Sequence, residues 1–126
     1  MSRSEREAIA RAIADAEEGS SGRIAVRVIP DASVDAFERA KREFEAAGLH
    51  RHEHGNAALI LVAPKARQFA VIGDRSLHQR VGDAFWQDVV EHSRAYFARG
   101  DISGGIQSAV KRIGAALRAH FPQAPA

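Results

Sequence analysis

The stretch that decides the fold is Ala57-Ala58-Leu59-Ile60-Leu61-Val62-Ala63, followed by Pro64-Lys65-Ala66-Arg67 and then Phe69-Ala70-Val71-Ile72-Gly73-Asp74. Its first seven residues are a continuous apolar run, the pattern of a central strand buried on both faces. The connection to the second run is too short for a crossover, so the two strands form an antiparallel hairpin. Gly73-Asp74 breaks the second strand.

Upstream, Arg23-Ile24-Ala25-Val26-Arg27-Val28-Ile29 is β-branched and ends at Pro30-Asp31. Ile24, Val26 and Val28 alternate with Ala25 and Arg27, which suits a strand with one exposed face. Between this strand and the apolar run lies a helical stripe of Phe37, Ala40, Phe44 and Ala47, with Asp35 and Glu38 as cap residues and Gly48 as its end. A helix between two strands makes them parallel, with a right-handed crossover.

The flanks read as helices. Ser4 and Glu7 have capping-box spacing and start a helix to about Glu18, stopped by Gly19-Ser20-Ser21-Gly22. Leu77 and Val81 suggest a helical turn. Asp83 can cap a longer helix with Phe85, Val89 and Phe97 on its inner face, ended by Gly100. A last helix runs from about Ser103 to His120, with Ile106, Val110, Ile113 and Leu117 inside. The reading is one α/β domain over 1–122, a small mixed sheet covered by helices, with a frayed tail over 123–126.

Composition agrees with one globular domain: 126 residues, 45% hydrophobic and 27% charged. There are no cysteines, which excludes disulfides, a thiolate nucleophile and Cys-based metal sites. Basic and acidic residues number 18 and 16, with no basic run interleaved with aromatics, so nucleic acid is not an expected partner. The first residues carry no apolar h-region and no run is long enough to span a membrane. The expectation is therefore a cytoplasmic monomer without a membrane anchor.

Strand directions place the polar groups. The end of the last strand falls at the same sheet rim as the starts of the first two. Asp74, Asn56 and Gly22-Arg23 meet there. The first helix ends there at Glu17-Glu18, the second just before His50, and the last at His120, while His78 lies just beyond Asp74. Five of the six histidines are expected near that rim.

Several groups there can carry chemistry. His50, His52 and His54 alternate, and in an extended segment they share one side. They can hold zinc with Asp74 or Glu53, or be a solvated loop. Asp74 follows a glycine and can bind a hard cation, or simply cap a helix. Glu17 and Glu18 can add oxygen ligands, or be an exposed helix end. At the opposite rim, Ser103-Gly104-Gly105 opens a helix and can bind an anion, or serve close packing. Ser20 and Ser21 lack a nucleophile elbow. Trp86 reads as core or partial surface.

The ordered set of motifs resembles the TPM domain family, in its short soluble bacterial form. Ala16-Glu17, Ser21-Gly22, Lys41 to Gly48 with Leu49-His50, Asn56-Ala57-Ala58-Leu59-Ile60, Phe69 to Asp74, Val81-Gly82 with Phe85-Trp86, and His120-Phe121-Pro122 carry the resemblance. It implies a Rossmann-like α/β/α sandwich. Members have been credited with acid phosphatase activity and some with calcium binding; others are membrane-anchored or work in photosystem repair. Three positions depart from the family pattern. Arg23 stands where an acidic residue is usual, His52 where a threonine is, and Asn56-Ala57 where an asparagine–glycine pair is.

Three functions follow as expectations. One is a module that binds calcium, another divalent cation or a protein partner at the rim, with Asp74, Asn56, Glu18, His52 and His54 as ligands. The second is a weak metal-assisted acid phosphatase, with Asp74 as cation holder or nucleophile, His52 or His78 as acid–base, and Arg23 on phosphate. The third is a structural interaction domain in which Asp74 only caps a helix.

Overall fold

In the computed structural model, which describes residues 1–123, the apolar run is strand β2 (Ala57–Ala63), buried along its whole length. It is the middle of a three-stranded sheet ordered β1-β2-β3. β1 (Arg23–Val28) pairs with it in parallel, from Arg23 opposite Ala57 to Val28 opposite Val62. β3 (Gln68–Gly73) pairs antiparallel, from Gln68 opposite Ala63 to Gly73 opposite Ala58. A 3-10 turn, Pro64–Ala66, closes the hairpin, and Arg67 completes it at φ 53°.

Side chains of β2 enter two cores by turns, because successive residues face opposite sides of a sheet. Ala58, Ile60 and Val62 pack under α1 (Arg3–Glu17), α4 (Asp83–Ala98) and α5 (Ile102–His120). Ala57, Leu59, Leu61 and Ala63 lie under α2 (Ala36–Ala46). The result is helix, sheet, helix in three layers, with α3 (Arg75–Val81) at the rim. α1 and α5 approach closely because Gly114 faces Ala16, whose Cβ lies where a side chain at 114 would go.

Some local expectations shift by a residue or a face. The capping box uses Ser2 and Glu5 rather than Ser4 and Glu7: Glu5 N donates to Ser2 Oγ at 3.1 Å, and Ser2 N to Glu5 Oε1 at 2.9 Å. Both pairs have the required spacing, and the helix takes the earlier one. Asp35 does cap α2 through Glu38 N. That start makes Ala36, Ala40 and Phe44 the inward stripe and turns Phe37 out, 54% exposed. Asp83 is the first residue of α4 rather than its cap; Gly82, at φ 77°, holds the cap position and has no side chain to offer. Asp101 caps α5 by accepting from Gly104 N at 2.8 Å.

Gln123 N donates to the Gly19 carbonyl at 2.9 Å, and the rest of the expected tail lies outside the described residues. Among those residues no helix is long and apolar enough to cross a membrane.

Candidate functional site

The sheet register brings the starts of β1 and β2 and the end of β3 to one rim. The end of α5 joins them, since Ser21 N donates to the Phe121 carbonyl and Ser20 Oγ to the Leu117 carbonyl. The 3-10 turn Leu49–Arg51 and the start of α3 complete the rim.

Asn56 sits just before β2 and is fully buried. Its Nδ2 donates to Ser21 Oγ at 3.0 Å, while its Oδ1 has no hydrogen-bond partner among the described residues. Asp74 follows β3 and faces the same strand start, its N–H donating to the Ala57 carbonyl at 2.8 Å. One carboxylate oxygen, Oδ1, accepts from Arg75 N at 2.8 Å and caps α3. The other, Oδ2, is shielded from solvent and also has no partner. Two buried acceptor oxygens on adjoining strand ends are thus left without donors. Such atoms are few in folded proteins and each costs roughly 1–3 kcal/mol when left unpaired.

Glycines hold this corner tight. A Cβ at Gly73 would overlap the Trp86 ring, so the indole lies directly on the end of β3. Gly55 has φ 61°, a backbone state that suits glycine, and its carbonyl accepts from Leu77 N. The loop before β2 is therefore tied to α3.

The histidines do not converge. Their expected alignment needed an extended segment, but Leu49–Arg51 turns as a 3-10 helix after Gly48 at φ 72°. His50 and His54 are exposed. His54 Nε2 stands 4.0 Å from Glu53. Only His52 turns inward, its Nε2 2.8 Å from the Ser21 carbonyl. A carbonyl can only accept, so Nε2 carries the proton. His78 accepts at Nδ1 from Trp86 Nε1 at 3.0 Å and presents Nε2 to Asp83 at 3.3 Å. Among the described residues no three His, Asp or Glu side chains come together as a metal cage.

The remaining candidates are dispersed. Glu17 Oε2 accepts from Ile24 N at 2.7 Å and so closes the outer edge of β1. Glu18 lines a groove between α1 and α5 with Asp15, Lys111 and Arg118, apart from Asn56 and Asp74. Arg23 and His52 line a different groove beside β1. The Asp101 carboxylate occupies the start of α5, where an anion had been a candidate.

Sequence reasoning missed Ser21 as a junction. It holds His52 through its carbonyl and Asn56 through its hydroxyl, across separations of 31 and 35 residues. No local pattern announces contacts at that range. Asp83 as partner of His78 was missed because helix-cap spacing explained it first.

Solved structures with this arrangement come from several bacteria. The BA42 protein of the psychrophile Bizionia argentinensis is 30% identical, with a TM-score of 0.88 over 97% of this chain and 84% of that one. The N-terminal domain of a P. gingivalis protein is 13% identical, with a TM-score of 0.82 over 99% and 83%. The N-terminal domain of cg2496 from Corynebacterium glutamicum is 20% identical, with a TM-score of 0.73 over 93% and 74%. These last two likenesses concern the fold alone. No curated protein matches the chain. The TPM domain model matches residues 1–116, which takes in the whole sheet and the rim from Ser21 to Asp74, and the chain belongs to the TPM domain family.

Proposed function

We propose that the chain binds a divalent cation at this rim, through Asn56 Oδ1 and Asp74 Oδ2. The observation that carries the proposal is that both oxygens are buried and, among the described residues, lack hydrogen-bond donors. A cation supplies what they lack. Both donors are hard oxygens, which suits calcium or magnesium better than zinc. Calcium takes 6–8 oxygens, so water would complete the shell. With a single charged ligand the affinity belongs at the weak end of the range, about 10⁻⁴–10⁻³ M. Bound there, the ion would join the loop before β2 to the start of α3.

The test is an NMR titration with calcium, magnesium and zinc. Saturable shifts centred on Asn56, Gly73 and Asp74, larger for calcium than for zinc, support the proposal. Absence of any such response to all three ions would leave the two oxygens as unpaired buried acceptors and end the reading.

A second reading, weak metal-assisted acid phosphatase, has one observation in its favour: Arg23 and His52 line one groove, so a phosphate contact and an imidazole lie together. Against it, His78 has both ring nitrogens engaged and His52 has one. An acid–base residue needs a nitrogen within reach of the proton it moves. A phosphomonoester assay on the protein and on Asp74→Asn separates the two: equal rates would remove Asp74 from any catalytic role.

A further inference from the structure

β1 is an edge strand, and α2 packs mainly on β2 and β3; of this face of β1, Ala25 reaches the core under α2. The face is otherwise open and carries Arg23 and Arg27 at the period of a strand. Across from it stands the turn that follows α2, with Gly48, Leu49 and Arg51, and then His52. The groove between them has a volume of about 400 Å³. Among the described residues no acidic side chain lines it. Among the described residues none of its three guanidinium groups forms an ion pair. Arg27 Nη1 donates to the Val26 carbonyl at 3.0 Å, which leaves its other donors available.

The three arginines alone exceed the formal net charge of the whole chain, +2, so positive charge is concentrated in this groove. Cations on an edge strand often guard against strand pairing. That explains Arg23 and Arg27 but not Arg51, which comes from a separate element on the opposite wall. Guanidinium forks on facing walls suit oxyanions, which accept two parallel hydrogen bonds from each. A single phosphate is small for this volume and would engage one wall. Two linked phosphates carry enough charge and length to meet both.

We infer that this groove binds a diphosphate-bearing small molecule through Arg23, Arg27 and Arg51, without a metal ion. His52 closes the rim end and is held there by the Ser21 carbonyl. The groove adjoins the proposed cation site through Ser21 but shares no lining residue with Asn56 or Asp74. Anion binding here is therefore independent of the cation reading.

The experiment is a titration of the full chain with pyrophosphate in EDTA at low ionic strength, followed by NMR and calorimetry. Inorganic phosphate and succinate serve as comparison anions. Saturable shifts centred on residues 23–27 and 47–52 are expected, with phosphate binding about tenfold more weakly and succinate more weakly still. Arg51→Glu and Arg23→Glu change exposed side chains. Each should lower pyrophosphate affinity by about tenfold or more with an unaltered circular dichroism spectrum. Asp74→Asn should leave it unchanged. No saturable response, equal binding by Arg51→Glu, or binding that requires added calcium would each overturn the inference. The last result would leave the cation site standing and remove the independent groove.

Discussion

The two ends of the same small sheet solve the same problem differently. At the Ala63 end, polar groups find protein partners: Gln68 Oε1 accepts from Ala36 N at 2.8 Å, and Asp101 Oδ1 from Gly104 N. At the Ala57 end, Asn56 and Asp74 each satisfy one side-chain atom and leave one buried oxygen without a donor among the described residues. The chain evidently can satisfy a polar group at a strand end. Where it does not, at two adjoining positions, the open acceptors are the exception that the proposed cation site would explain. Unpaired buried oxygens, not the number of charged residues, set this end apart, and the exposed histidines lose their prominence.

Removing the shared middle of the sheet should break both ends together. Ile60 is fully buried in the centre of β2, and Ile60→Ala should cost about 2–5 kcal/mol in denaturant unfolding. Gly73→Ala acts at the Ala57 end only. The new methyl meets the Trp86 ring and should cost about 1–3 kcal/mol, with a shift in tryptophan fluorescence that Ile60→Ala does not reproduce. Gln68→Leu is the corresponding change at the other end. It deprives Ala36 N of its acceptor and should cost about 1 kcal/mol.

Asn56→Leu sharpens the contrast most. It loses the bond to Ser21 but also removes an unpaired oxygen, so its net effect should lie within about 1 kcal/mol of zero. Any response to calcium should nevertheless disappear. A large loss of stability without a change in calcium response would put Asn56 among ordinary structural residues. Smallest of all is Ser2→Ala. The Ser2 backbone and hydroxyl bonds lower the Glu5 carboxyl below its ordinary value. A lowered value means the cap's contribution is present above the unfolded-state pKa and fades as pH falls through the folded one. Ser2→Ala keeps the backbone bond and loses the hydroxyl that accepts from Glu5 N, so it should weaken the helix slightly at every pH, and a little more at neutral than at acid pH, as read by circular dichroism.

Much of the fold was legible because single-residue patterns determine it. Seven apolar residues in a row fit a strand covered on both sides, and the short Pro64 to Arg67 connection forces the third strand to return. The directions of all three strands follow, and with them the rim that holds Asn56, Asp74 and Arg23. The local errors have local causes. Two overlapping Ser–Glu pairs offered two capping boxes. Phe37 looked like core by type but lies outside the stripe once Asp35 fixes the start of α2. The site was less legible because its features are relations between distant residues. Ser21 meets His52 and Asn56 only after the chain folds, and the absence of donors for two oxygens is a property of everything around them. The His50 to His54 run misled because a 3-10 turn has a different period from a strand.

The measurement that tests the account most directly is the calcium dependence of the melting temperature for the protein beside Asp74→Asn. Asparagine caps a helix as well as aspartate, so the variant keeps the start of α3 and loses the charge. A ligand that binds only the folded state stabilises it by about 2.7 kcal/mol at 100 times its dissociation constant. Calcium should raise the melting temperature of the protein in a saturable way and leave that of Asp74→Asn nearly unchanged. Equal responses in the two proteins, or none in either, would contradict it.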